Sequence, residues 1–536
     1  MKGKILTLLF GWMSLALNAQ DYQVSTAVQQ KNVLLEEFTG VYCGYCVDGH
    51  QVAHQLQRVL KDRISVVAVH SGPFAPADGS ELDMTIPEGI ELADLLGAAW
   101  GGFPNGAVNR RIWNNSGKYY YGRSFWEDFA DRILEEKAPV NLWAEAEYDA
   151  PSRKLSIRVE GYYTEEIPGE KSFLNVYLTQ NNIVNWQSGS GRNYLHQQVL
   201  REMITGLKGE ALPVAKKGEY FVKEYEYQVP EQYKKIAVDP VELEVVAFVT
   251  QSDQEVLNAL TVKPAYVGEI LPLKASVHPH QIPIAGGYRF DFVELELANE
   301  CNTVLTSAGF EVSLNGQATE VAWKGEIPAF QRQLIRIPVD WQQKAGSSNT
   351  YQLTLKTLNG EAVAGNSFDG KFGQPTELPV QLTLHLNTDE FAAQNSYRLY
   401  NMQGEVLKTF GPFENGTCHH YEEALVLEPH TTYCLEITDS RGNGYYPRGN
   451  AVEFHNADDF VLFSQYGVKD FGTRLFFHTG APTGIEELLS PSAGRKRMEV
   501  YHLTGKLVKV TDNLRDLPRG VYLVRSGALT RKVVVR

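Results

Sequence analysis

The sequence predicts a multidomain chain: an α/β domain, then β-sandwich domains, then a small C-terminal β module. Three observations predict it. At 536 residues the chain exceeds what one core can hold, and 43% hydrophobic with 11% aromatic residues is the make-up of folded protein. Up to about residue 138, β-branched runs alternate with helix-period segments, and beyond Pro139 the period of two typical of half-buried strands takes over. From Ile485 onward Lys and Arg outnumber Asp and Glu by 11 to 5, although the whole chain carries a net charge of −14.

Each segment has its own reason. Lys2 and Lys4 precede the apolar run from Ile5 to Leu17, and Ala19 offers a small residue for cleavage. Residues 1–19 therefore read as a secretory signal peptide, too short to span a bilayer. The α/β domain is expected over 20–138. Val33-Leu34-Leu35 reads as a short buried strand, and Val52, Leu56, Val59 and Leu60 recur at helical spacing after Cys46. Ile64 to Val69 is a nearly unbroken β-branched run, as in a strand covered on both faces. Ile90–Trp100 and Trp126–Glu136 read as further helices. A β-sandwich with one helical insert, Leu195 to Met203, is expected over 139–270, with further sandwiches over 271–375 and 376–482. Pro and Gly cluster near the joints, and short strands with turns at Thr504-Gly505 and Pro518-Arg519-Gly520 make 483–536 the terminal β module. The acidic balance excludes a nucleic-acid binder, and no basic amphipathic helix suggests a membrane-surface role.

Chemistry concentrates at Cys43-Gly44-Tyr45-Cys46, which follows a strand and opens a helix. Unpaired N–H groups and the dipole at a helix start stabilise a thiolate there, and the second cysteine resolves the mixed disulfide that the first one forms. A static disulfide is the alternative. Cys418 and Cys434 flank an apolar stretch and are candidates for a second disulfide, which leaves Cys301 over. His50 and His54 share a helix face with Cys46, but a single helix closes poorly around an ion, so no metal is expected. His70 reads as a core histidine. Asp439 and Asn443 read as a turn rather than a calcium site, and the pairs His278/His280 and His419/His420 as solvated loop residues.

The stretch LLEEFTGVYCGYC resembles the active-site strand and turn of the thioredoxin superfamily. With Val69-His70-Ser71-Gly72, Gly102-Phe103-Pro104-Asn105-Gly106, Leu195 to Arg201 and Val246 to Val249, residues from about 30 to 265 resemble the Omp-twenty-eight-related outer membrane proteins of Bacteroidetes. The resemblance implies that Glu37 is a buried acid relaying a proton for the pair, with Glu36 the more exposed of the two. It also implies that Pro104 is a cis-proline beside the pair. Val500 to Leu507 and Leu517 to Val524 resemble a type A sorting domain of type IX secretion, which implies export across the outer membrane and a tail removed there. Cys434 to Gly444 resembles strand-turn units common in such secreted proteins. The site expected is thus Cys43, Cys46, Glu37 and Pro104, with no cofactor. The partners expected are protein thiols or disulfides, the type IX machinery, and a host or envelope surface ligand. Two functions stay open at this point: thiol–disulfide exchange, and an adhesin-like binding protein that uses the fold as a scaffold.

Overall fold

The computed structural model describes residues 22–480 apart from 168–170, 214–215, 252–253, 282–288, 343–348, 373–375, 390, 402–404, 412, 416–417, 443, 445–449, 458 and 469–471, and residues 498–535 apart from 503, 512–516 and 527–528. The expected signal peptide lies outside the described residues. Two compact units divide the chain between Glu269 and Ile270. No helix among the described residues is long and apolar enough to cross a membrane.

The first unit opens with β1 (Val33–Thr39), α1 (Cys46–Leu60), β2 (Ile64–His70), α2 (Pro87–Leu95), β3 (Asn105–Val108), β4 (Tyr121–Gly122) and α3 (Trp126–Leu134). Strands β5 (Val140–Asp149), β6 (Lys154–Tyr163), β7 (Ser172–Gln180), β8 (Ile183–Gln187), β9 (Gly191–His196), β10 (Val199–Met203), β11 (Glu210–Ala211) and β12 (Tyr220–Gln228) follow. The unit ends with β13 (Gln232–Tyr233), β14 (Ile236–Ala237), β15 (Leu243–Gln251), β16 (Val256–Val262) and β17 (Ala265–Val267). One sheet runs in the order β16-β15-β7-β10-β2-β1-β3-β4, with β11 beside β7. Strands β1 and β2 are parallel and β3 is antiparallel to β1.

Successive residues of a strand face opposite ways, so β1 and β2 must be covered twice. On one face Val33, Leu35 and Val66 meet Ala53 and Leu56 of α1 and Trp126, Phe129 and Ile133 of α3. Helix α3 buries those residues at the i, i+3, i+7 spacing that makes a single apolar stripe. On the other face Leu34, Phe38, Val67 and Val69 meet Leu92 and Ala93 of α2, together with Tyr177 and Phe248. A four-stranded sheet, β12-β6-β5-β17, covers the β7 and β15 end.

Two expectations need correction here. Leu195 to Met203 is not a helical insert but the end of β9 and all of β10. Leu195, Val199 and Met203 happen to recur four apart, yet Leu195 is exposed, whereas Val199 and Met203 are buried between β7 and β2. Gln198 lies at φ +50°, which ends any helix. The break expected at 138/139 falls inside one sheet, because β10 pairs with β2 through Val199 and Ala68.

In the second unit, strands Ala275–Gln281, Arg289–Asn299 and Arg332–Gln342 face a sheet centred on Leu305–Leu314 and Asn349–Leu358. Leu295, Phe310, Ile337 and Leu353 fill the space between them. A second sandwich sets the sheet containing Thr432–Asp439 against one ordered His420–Val426, Gln381–Asn387, Val452–His455, Val461–Gln465. Its core includes Leu384, Tyr397, Leu435 and Phe454. Strands Met498–His502, Leu507–Thr511, Gly520–Ser526 and Leu529–Val535 form a four-stranded antiparallel sheet.

Cys418 and Cys434 are both free, contrary to the expected pairing. Tyr433, Leu435 and Ile437 point into the core, so alternation sends Cys434 to the outer face beside Glu436. Cys418 precedes a strand of the opposing sheet. Burial pushes the Cys434 thiol up to about 12.

Candidate thiol–disulfide site

The CxxC turn is placed by the end of β1 and the start of α1. Gly40 begins the turn, where a Cβ would stand 2.4 Å from the backbone of Phe74. The Cys43 N–H donates to Gly40 O (3.0 Å) and the Cys46 N–H to Cys43 O (3.3 Å), tightening the chain into the helix. Cys43 and Cys46 are disulfide-bonded, with Cα atoms 5.4 Å apart. Tyr45, 71% exposed, marks the turn from outside, but Cys43 is only 3% exposed and Cys46 fully buried.

Alternation along β1 sends Glu37 under α1 and Glu36 to the other face. Glu37 is 2% exposed and its Oε1 has no hydrogen-bond partner among the described residues. Burial pushes its carboxyl up to about 8, so it is mostly protonated at neutral pH. A Cβ on Gly49 of α1 would stand 2.7 Å from both Glu37 Oε1 and Pro104 Cβ. Helix, acid and proline therefore meet at one glycine. The Phe103–Pro104 bond is cis.

Glu36 corrects the expectation that it is the exposed member. It is fully buried, and Arg110 donates to it twice, from Nε to Oε2 and from Nη2 to Oε1, at 2.7 Å each. Arg110 Nη2 also donates to Tyr177 Oη at 3.0 Å. A central strand leaves neither face to solvent, so an acid there needs a cation or a proton.

Strands β8 and β9 form a hairpin over the disulfide turn. The Ser188 N–H donates to Val41 O (2.8 Å), and Gln187 Nε2 donates to Cys43 O (2.8 Å) and Gly40 O (3.3 Å). Tyr194 Oη lies 2.7 Å from His50 Nδ1, while His50 Nε2 lies 2.9 Å from Thr39 Oγ1. The rings of His50 and His70 stand 6.3 and 5.6 Å from that of His196. Burial lowers His50 to about 3 and His196 to about 4, and holds His70 well below the usual range. His50 and Glu37, 3.9 Å apart, are thus both uncharged at neutral pH and form no ion pair.

Glu37 and Pro104 meet at Gly49 of α1, the helix that Cys46 opens, with Cys43 bonded to Cys46. His54 lies half-buried, with its pKa lowered by burial. His70 is a buried core residue. Asp439 Oδ1 accepts from the N–H groups of Arg441 and Gly442, as in a turn, and Asn443 lies outside the described residues. Sequence reasoning missed Arg110, Gln187, Tyr194 and His196. One available signal was the Gly189-Ser190-Gly191 turn, which marks a hairpin.

Residues 94–269 match the family described as outer membrane protein Omp28. The matched segment ends where the first unit ends, and it contains Pro104 but not the cysteine pair. It agrees with an exported protein of the outer membrane or cell surface. The chain is similar to HBP35 of Porphyromonas gingivalis at 20% identity, over 65% of this chain and 99% of that one, with a TM-score of 0.37. It is also similar to a domain of the outer membrane lipoprotein Omp28 from the same organism, at 25% identity over 24% and 90% of the two chains, with a TM-score of 0.18. No curated protein matches the sequence.

Proposed function

We propose that the chain is an exported surface protein whose first unit is thioredoxin-like and exchanges disulfides with protein substrates through Cys43 and Cys46. The observation that carries this reading is the convergence of the disulfide at the opening turn of α1 with buried Glu37 and Pro104. The sheet order β2-β1-β3-β4, with α1 and α3 on one face and α2 on the other, supports the fold assignment.

Once the pair is reduced by an external dithiol, the Cys43 thiolate attacks a substrate disulfide and releases one substrate thiolate. Cys46 then attacks Cys43 Sγ in the mixed disulfide, which frees the second substrate thiolate and restores the bond. The ionised form of Glu37, a minority at neutral pH because the carboxyl titrates near pH 8 beneath the helix, takes the proton from Cys46 as it attacks. The basic four-stranded tail supports its reading as a type IX sorting domain, with that machinery as partner.

One observation favours a second reading. Cys43 is nearly inaccessible beneath β8–β9, as it would be in a scaffold that binds a host or envelope ligand and does no chemistry. Turnover of a protein disulfide by the full chain, with dithiothreitol as donor, distinguishes the two. The exchange reading expects turnover that vanishes in Cys43→Ser. Equal rates in the two proteins would leave the scaffold reading.

A further inference from the structure

The second sandwich carries a histidine cluster on a face that the core does not use. In strand Gln381–Asn387, Leu382, Leu384 and Leu386 point into the core, so His385 and Asn387 point outward. Glu422 lies opposite His385 in the register, and His420 opposite Asn387, so these side chains share one outer surface. Three ligand atoms converge there. His385 Nδ1 stands 3.2 Å from His420 Nε2, His420 Nε2 stands 3.0 Å from Glu422 Oε1, and Glu422 Oε1 stands 3.7 Å from His385 Nδ1. A tetrahedral zinc ion with ligands at about 2.0–2.2 Å spaces its ligand atoms about 3.3 Å apart.

The surrounding hydrogen bonds point the same way. Asn387 Nδ2 donates to Asn450 O at 2.6 Å, so its Oδ1 faces His420 Nδ1, 2.7 Å away. That acceptor holds a proton on His420 Nδ1, so Nε2 faces the Glu422 carboxylate and meets it through either a second proton or a bound cation. His385 is 6% exposed, and its Nε2 has no hydrogen-bond partner among the described residues. Its ring stacks on His455 with centroids 3.8 Å apart. His455 already has Glu453 at 2.9 Å and Asp459 at 2.8 Å, one on each ring nitrogen, so it positions the ring and leaves the ligand role to the other three.

We propose that His385, His420 and Glu422 bind a divalent transition-metal ion of the zinc type, with its fourth position open to solvent. Two imidazoles and one carboxylate select this class over calcium or magnesium, which take oxygen ligands. His420, expected from sequence as a solvated loop residue, is exposed but opens the strand His420–Val426.

The test is a Co²⁺ titration of the full chain, followed by the visible absorption of tetrahedral cobalt and its displacement by Zn²⁺. The Cys43–Cys46 disulfide is kept intact, and exposed Cys418 is changed to Ser so that no accessible thiol competes. One ion per chain is expected. His420→Ala and Glu422→Gln alter half-exposed or exposed side chains, which keeps folding out of the result, and each should weaken binding at least tenfold. Asn387→Ala, which removes the hydrogen bond orienting His420, should weaken it by about tenfold or more. No saturable Co²⁺ binding, or binding of unchanged affinity in His420→Ala, would overturn the site and leave a plain His420–Glu422 ion pair.

Discussion

Glu37 Oε1 has no hydrogen-bond partner among the described residues, while the carboxylate of Glu36, one residue earlier, is held by the Arg110 guanidinium. The two acids have the same chemistry and opposite solutions to burial, and the strand's alternation assigns them. Glu37 has a consequence for stability. Its folded pKa of about 8 lies above the unfolded value of 4.5, so the native state holds a proton that the unfolded chain gives up. Stability from this group is fully present below pH 4.5 and declines by about 1.4 kcal/mol per pH unit as pH rises toward 8. Glu37→Gln lacks that decline, so its urea midpoint should gain on the wild type's as pH rises from 5 through 7 to 9. A midpoint difference that stays constant over that range would mean the carboxyl is ionised in the fold.

The β8–β9 hairpin gives the cysteine pair its cover. Gln187 ties it to the carbonyls of Gly40 and Cys43, so reagents reach the disulfide only as fast as this element lifts. Gln187→Ala removes about 1 kcal/mol of hydrogen bonding, enough to raise the open fraction about fivefold. Dithiothreitol should then reduce the Cys43–Cys46 bond about fivefold faster, as followed by thiol alkylation. An unchanged rate would show that the hairpin does not control access. Such an element was hard to read from sequence because Leu195, Val199 and Met203 satisfy a helical period by coincidence. Only the neighbouring strands, β2 and β7, convert that segment to sheet.

At the scale of the whole molecule, the first unit buries three histidines uncharged while the second has separate cores, so acid acts on the two differently. His50, His70 and His196 are depressed in the fold against 6.5 unfolded. Their stabilising effect is complete above pH 6.5. Below it, stability falls by about 1.4 kcal/mol per pH unit for each histidine, down to about pH 4 for His196 and about 3 for His50. Glu37 acts the other way over this range but offsets less than half of the loss from the three histidines. Five tryptophans from Trp100 to Trp186 lie in the first unit and two, Trp323 and Trp341, in the second. Tryptophan fluorescence should therefore show the first unit melting at lower temperature at pH 5 than at pH 7. An unmoved transition would mean that these rings are charged or exposed. By itself the sequence determined the order of α/β and β segments, the CxxC turn at a helix start, and the acid and proline near it. The segments and the turn follow from local period and spacing, which the chain carries in short windows, whereas the acid and the proline were implied by the resemblance. The tertiary structure decided that one sheet joins both sides of residue 138, that Glu36 meets Arg110, that Cys418 and Cys434 do not bond, and that His385 meets His420. These depend on register between strands distant in sequence, where a shift of a single residue would turn every side chain to the other face.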